Sequence, residues 1–387
     1  MQKEKLVPAI RFKGFEECWK PNKFSELFEE KRVKTTEENE DTLLSCTIDD
    51  IYLNSELFSH FRGSSTLGYI KVTKYDLILS AQNLHLGNAN VNLKYESGII
   101  SPAYKAYKIT HSDPHFIQTW VKKENTKKFF LDATTEGASG CRKNVEWNYL
   151  YEQFISIPIL IHEQQKIGQF FSRLDSLISS QVLKLEKLQT IKHSLLSKMF
   201  ASYDQKMPEI RFKDFLDAWN HKLVKSLGCI TTGNSNTQDS DVNGAYPFFI
   251  RSDKPLKSNK YLYDEEAVIT IGDGNIGKVF HYVNGKFDLH QRCYKISNFT
   301  DVLGKYFYWY FSSNFYDRVI RMSAKATVDS VRLEMIADME IYYPSNKNEQ
   351  SKISTLLDGL DSLIHSQEQK LEKLNSIKQA LLEKMFC

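Results

Sequence analysis

EQQKIGQFFSRLDSLISSQVLKLEKLQTIKHSLLSKMF, residues 163–200, returns near the end of the chain as EQSKISTLLDGLDSLIHSQEQKLEKLNSIKQALLEKMF, residues 349–386. The step from Glu163 to Glu349 equals that from Phe200 to Phe386, and most positions match without a gap. In the first copy Ile167, Phe170, Phe171, Leu174, Leu177, Ile178, Leu185, Leu188, Ile191, Leu195 and Met199 recur at three- and four-residue steps. Ile353, Leu356, Leu357, Leu360, Leu363, Ile364, Leu371, Leu374, Ile377, Leu381 and Met385 repeat that stripe in the second. Such spacing puts the apolar side chains on one helical face. Each helix would run roughly 55–60 Å at ~1.5 Å per residue. A stripe kept over about five heptads is a coiled-coil signal, and two matching stripes bury each other most simply as a long hairpin. Gln181 and Gln367 interrupt the seam at equivalent places, where a polar residue fixes register.

The repeat extends outward from the helices. PAIRFKGFEECW at 8–19 is matched by PEIRFKDFLDAW at 208–219. These openings lie further apart than the two helices do, so the segment between opening and helix is shorter in the second half. Each half therefore has one plan: a shared opening, a divergent body, a proline (Pro158, Pro344) and a shared helix. Shared ends with divergent bodies mean that the ends assemble and the bodies discriminate. We divide the chain into bodies at 1–158 and 204–344, with helical segments at 159–203 and 345–387.

Composition bounds the rest. A chain of 387 residues with 41% hydrophobic and 26% charged residues reads as globular and too long for one core. No run of about 18 apolar residues predicts a membrane span, and MQKEKLVPAIRFKGF lacks the apolar core of a secretion signal. The six scattered cysteines form no C-x-x-C pair, which fits a reducing cytoplasm and no structural zinc. A net charge of +3 excludes a polybasic coat, so any basic face is local.

Within the bodies, Gly68–Ser80, Ala103–Ile109, Ala267–Ile271, Lys278–Val283 and Cys293–Ile296 read as strands, and Phe116–Leu131 and Asp301–Met322 as helices. The fold class is α+β: two similar bodies and an antiparallel helical pair related by a pseudo-two-fold repeat. Two motifs resemble catalytic signatures. GDGNIG at 272–277 fits G-x-G-x-x-G, but KVFHYVNGKFDL after it reads as a strand and a turn where a dinucleotide site needs a helix. DPHF at 113–116 resembles the D/N-P-P-Y/F tetrapeptide of amino-methyltransferases, with His115 in place of the second proline and no Gly-rich cofactor loop. No phosphate-binding loop or catalytic triad stands out, and no metal ligand set is read.

Two variable bodies, each followed by an [N/H]-E-Q-x-K-I helix ending in K-M-F, resemble the specificity subunit of type I restriction–modification systems. ISPAYKAYKI at 100–109 and ITIGDGNIGKV at 269–279 leading to HQRCYKI at 290–296 agree with it. The resemblance spans the whole chain. It implies two target-recognition domains, each reading half of a split, asymmetric double-stranded DNA site. It also implies that the helices hold the domains apart and dock two modification subunits that methylate adenine, with further restriction subunits in the full system. Cofactors (S-adenosylmethionine, ATP and Mg) would sit on those partners and none in this chain. The alternative is a coiled-coil scaffold whose bodies bind proteins.

Base readers would be polar or basic residues between strands. In the first body we expect Gln82, Asn83, Ser101, Tyr104, Lys105, Arg142, Lys143 and Asn144; in the second, Arg251, Lys254, Asn275, Lys278, Gln291, Arg292, Lys325 and Thr327. Helix-pair assembly is expected of Leu174, Leu177, Gln181, Leu188, Leu360, Leu363, Gln367 and Leu374. The repeated LEKL and KMF segments are expected to belong to the helix core, to a partner contact or to both.

Overall fold

Both repeated segments are single helices of 38 residues, Ile161–Lys198 (the central helix) and Lys347–Lys384 (the terminal helix). The computed structural model describes residues 6–59, 65–136, 143–201, 206–322 and 330–387. Its contacts divide the chain into two units, one formed by Met1–Val182 with Gln369–Cys387 and the other by Leu183–Glu368. Each unit thus holds one body, the entry half of the helix that follows it, and the exit half of the other helix. Within each unit the two half-helices run antiparallel. Lys378 bonds Asp175 at 2.6 Å in the first, and Lys192 bonds Asp361 in the second.

The bodies differ in sequence and share one sheet plan. In the first, four antiparallel strands lie in the order Phe28–Lys31, Tyr104–Ile109, Asp76–Ser80, Ala89–Val91. In the second the order is Cys229–Thr232, Cys293–Ser297, Tyr263–Ile271, Phe280–Leu289, extended by Tyr246–Phe249 and Leu256–Ser258. The first four correspond in chain sequence, sheet order and direction. A short ribbon closes each body at its neck: Lys20–Lys23 pairs with Phe154–Ile157, and Trp219–Leu223 with Glu340–Pro344.

Three sequence expectations change in detail. Gly68–Ser80 is two strands, Ile70–Thr73 and Asp76–Ser80, because the turn at Lys74 and Tyr75 (φ 73°) sends them to different partners. Phe116–Leu131 is two helices, Pro114–Val121 and Glu124–Asp132. DPHF is a helix start: the Asp113 carboxylate accepts the Phe116 N–H at 2.9 Å with Pro114 at the first helical position. Asp301–Met322 begins its helix at Gly304, and GDGNIG links two antiparallel strands as a turn.

The shared motifs explain the shared frame. Arg11 of the first opening donates through Nε and Nη2 to both oxygens of Glu163, at 2.7 and 2.8 Å. Arg211 does the same to Glu349 at 2.6 and 2.9 Å. Both carboxylates are buried, at 1% and 0% exposure, where only a bidentate cation makes an ionised group tolerable. The glutamine that follows each clamps the neck. Gln164 accepts the Asp113 N–H and donates to the Pro158 carbonyl, both at 2.9 Å. Gln350 accepts the Leu303 N–H at 2.7 Å and donates to the Pro344 carbonyl at 2.8 Å. The E-Q entry of the helix is therefore the joint between helix and body.

The K-M-F exits are body core. Phe386 stacks on Phe116 at 5.2 Å and meets Trp19 edge-on at 5.8 Å, inside the first unit. Phe200 meets Tyr306 and Tyr310 at 5.7 and 5.4 Å inside the second. Met385 and Met199 are buried beside them. Each helix starts from one body and ends in the core of the other.

Candidate nucleic-acid interface

Strand register shows which loops share an edge. In the second body Ile271 pairs with Cys293, Thr270 with Phe280, Thr232 with Tyr294, and Phe249 with Leu289 in parallel. Register places the loops that follow Thr232 and Ile271, and the one that precedes Cys293, at the same end of the sheet. The loop that follows Phe249 joins them through the Phe249 carbonyl, which accepts the His290 N–H at 3.0 Å, and through Arg251, which pairs with Asp273 at 3.0 Å. Arg251, Lys254, Asn275, Lys278, Gln291 and Arg292 all lie in them. In the first body Ser80 pairs with Tyr104, Leu79 with Ala89 and Lys31 with Ala106, so loops 81–88 and 101–103 open at the corresponding end. Gln82 and Asn83 thus stand where Asn275 and Lys278 stand, and Ser101 where Gln291 and Arg292 do.

Asp273 organises the second edge. Its carboxylate takes the Arg251 Nη1 at 3.0 Å on one oxygen and the Arg292 Nη1 at 2.7 Å on the other. Partial burial works against its charge, but the hydrogen bonds from Arg292 and Arg251 prevail and hold it below the usual carboxylate range. The arginine side chains are 45% and 60% exposed. His290, buried beneath them, accepts the Arg292 N–H on Nδ1 at 3.1 Å. Burial and then the charges of Arg251 and Arg292 lower its pKa, so it is neutral at pH 7. Ser235 donates to the buried Asp288 at 2.7 Å and Gln291 to Asn236, tying the adjoining loops together. Lys278 lies 5.0 Å over the Tyr316 ring, and Asn275 and Lys254 are exposed.

The first edge has a different chemistry. Gln82 and Asn83 are exposed, and Ser101 caps its own turn by accepting the Ala103 N–H at 3.3 Å. Two expected readers point inward instead. Tyr104 donates to the Cys46 carbonyl at 3.3 Å. Lys105 is held by Glu30 at 2.9 Å, donates to the Tyr151 hydroxyl at 3.2 Å and lies 4.1 Å over Trp147. As neighbours on one strand they face opposite sides of the sheet, Tyr104 toward Cys46 and Lys105 toward Tyr151 and Trp147, so on both faces a residue type suited to bases is used for packing. Lys143 and Asn144 stand on a separate hairpin, Thr134–Glu136 with Lys143–Val145. Arg142, Lys325 and Thr327 lie outside the described residues.

Sequence reasoning passed over Asp273, His290 and Asn236, whose role appears only when three loops meet. It also passed over Asn88, Asn90 and Asn92, buried amides in the first body. Asn88 and Asn90 donate to the carbonyls of Cys46 and Thr47, and Asn92 to those of Thr73 and Tyr95. They pin the turns beside the central strands.

On the helices, Leu174 packs against the first core, Leu188 and Leu374 are half-buried, and Leu360 is buried. Gln367 is buried and Gln181 half-buried. Leu177 and Leu363 are 42% and 59% exposed, outside the seam expected of them. Their exposure has a pattern, since Ile191 and Ile377, which follow them at matching places on the two helices, are exposed too. The repeat therefore shows solvent one leucine and one isoleucine at equivalent positions of each helix.

Residues 217–376 match the family model of the type I restriction modification DNA specificity domain. That match covers the second body and most of the terminal helix, so this part of the chain is similar to the specificity domain of type I restriction–modification systems. The chain is 27% identical over 168 residues to the type I restriction enzyme EcoDI specificity subunit of Escherichia coli, a stretch of 42% of this chain and 37% of that protein. In fold it is similar to the S subunit of a type I restriction–modification system from M. genitalium, with TM-score 0.65 and 13% identity over 98% of this chain and 99% of that one. A chain from a structure of type I complex assembly and conformational transition is similar at TM-score 0.51 and 14% identity, over 95% and 97%. Specificity subunits are non-catalytic, and catalysis in such systems lies on partner subunits. Among the described residues no His, Cys, Asp and Glu cluster could hold a metal, and no helix is long and apolar enough to cross a membrane.

Proposed function

We propose that this chain is a type I specificity subunit that reads a split, asymmetric DNA site, one half with each body, and presents that site to a DNA adenine methyltransferase. The observation that carries the reading is the pair of sheets with one topology and unlike edge loops. One frame delivers two sets of side chains, so the half-sites need not be related in sequence. Arg, Gln and Asn on those loops have the donors and acceptors that base edges require.

The exposed Leu177, Ile191, Leu363 and Ile377 support docking of two modification subunits on the helices, since a pseudo-two-fold repeat offers the same contact twice. Restriction subunits would join through that assembly, and S-adenosylmethionine, ATP and Mg would be bound by the partners. The work is that of the cytoplasm, where the DNA is.

Base-resolution methyladenine mapping tests the reading. DNA from cells carrying this chain and the methyltransferase encoded beside it is compared with DNA from cells lacking only this chain. A split, asymmetric motif present only with the chain is expected. Identical maps would overturn the reading in favour of a protein-binding scaffold.

A further inference from the structure

The guanidiniums of Arg251 and Arg292 are fixed in a way that selects a base. Each spends Nη1 on a different oxygen of Asp273, at 3.0 and 2.7 Å. Among the described residues neither Nε nor Nη2 has a hydrogen-bond partner, so each arginine keeps an unused edge of two donors. Asp273 is itself held by its backbone: Gly272 N–H donates to the Arg292 carbonyl and Val331 N–H to that of Gly272, at 2.8 and 2.7 Å. His290 is neutral and spends Nδ1 on the Arg292 backbone, so it puts no second charge against the guanidiniums. Two cations on one carboxylate leave a net positive charge at the sheet edge.

A fixed guanidinium edge of two parallel donors matches two acceptors side by side. In the major groove that pattern is N7 and O6 of guanine; adenine offers N7 beside an amino donor, which repels it. We propose that Arg251 and Arg292, held by Asp273, read guanines in the half-site taken by the second body. The proposal rests on the DNA-reading function above. Asp273 is a positioning residue: it removes rotamer freedom from both arginines before DNA arrives, so less is lost on binding.

The test has two parts. Methyladenine maps are made with the wild-type chain, Arg251→Ala, Arg292→Ala and Asp273→Asn, each with the methyltransferase. Wild type is expected to show guanine, on either strand, in one half of the motif. Each arginine variant should lose the requirement at one guanine position, with the other half unchanged. Binding is then measured for the assembled complex on cognate duplex with 7-deazaguanine at those positions, which lacks the N7 acceptor. Wild-type affinity should fall about tenfold or more, while the matching arginine variant should bind both duplexes equally. Asp273→Asn should weaken binding and blunt the 7-deazaguanine effect at both positions.

A split motif with no guanine in either half would overturn the inference and leave the DNA reading standing. So would variants that keep the full motif with uniformly weaker methylation, which is the behaviour of a phosphate contact. Absence of any chain-dependent motif would overturn both.

Discussion

Gln82 and Asn83 in the first body and Asn275 and Lys278 in the second occupy equivalent turns of equivalent sheets. Their neighbours differ completely. Beside the second turn, Asp273 gathers two arginines from two other loops. Beside the first, Lys105 is drawn inward by Glu30, Tyr151 and Trp147, and loop 32–43 brings Glu38 and Glu40, which bond Thr66 and Lys71. At the neck the comparison reverses. Arg11 meets Glu163 at 2.7 and 2.8 Å, and Arg211 meets Glu349 at 2.6 and 2.9 Å, through the same atoms. The difference teaches where each part of the molecule is free to vary. Side chains at the joint must satisfy a buried carboxylate and admit little else, whereas loops at the sheet edge answer only to solvent and to what they bind.

The largest expected effects test the crossing of the helix exits. Phe386→Ala should cost about 3–5 kcal/mol of stability and loosen the first body, although Phe386 follows the second in sequence. Phe200→Ala should do the converse. Hydrogen exchange resolved by segment reads this directly, and loss of protection in the adjacent body instead would break the account.

A second contrast lies near the start of the two helices. A Cβ at Gly168 would sit 2.6 Å from the Phe116 nitrogen, whereas at Gly359 nothing lies within 4 Å. Gly168→Ala is expected to destabilise by about 1–3 kcal/mol. Gly359→Ala should stabilise by roughly 0.5–1 kcal/mol through helix propensity. Denaturant unfolding of the two variants should therefore show opposite signs, and equal shifts would remove the distinction.

A further effect is electrostatic and belongs to the first body. Lys123 is buried against Phe386, and that burial, opposed weakly by Cys387, pushes its amine down to about 8. An unfolded lysine keeps its proton to about 10.4. Between about pH 8 and pH 10 the unfolded state therefore binds more protons, and stability rises with pH. Urea unfolding of the first body should shift to higher midpoint from about pH 7.5 to 9.5, and Lys123→Met should flatten the shift. A midpoint that falls over that interval would show the amine to be charged in place.

Much of the frame was legible in the residues. The helices, their length and the two-part plan follow from periodicity and from an offset repeat. The Arg11–Glu163 and Arg211–Glu349 joints were within reach, because all four residues lie in the repeated segments. Nothing local says, however, that these charges meet across 152 and 138 residues. Leu177 and Leu363 match the apolar stripe yet face outward, since a stripe wider than one partner needs leaves part of itself exposed. Tyr104 and Lys105 had the chemistry of base readers, and contacts on opposite faces of their strand, with Cys46 and with Glu30 and Trp147, hold them inward.

By itself the sequence determined what repeats: two helices, two openings and two bodies of separate character, because hydrophobic period and self-similarity are local properties of a chain. Tertiary structure alone decided that the unlike bodies share one sheet order, that each helix ends in the other body's core, and that Asp273 meets two arginines. Those facts depend on register between distant strands and on the closing of long loops. Such contacts form only when a whole core is buried, so no short stretch of sequence encodes them.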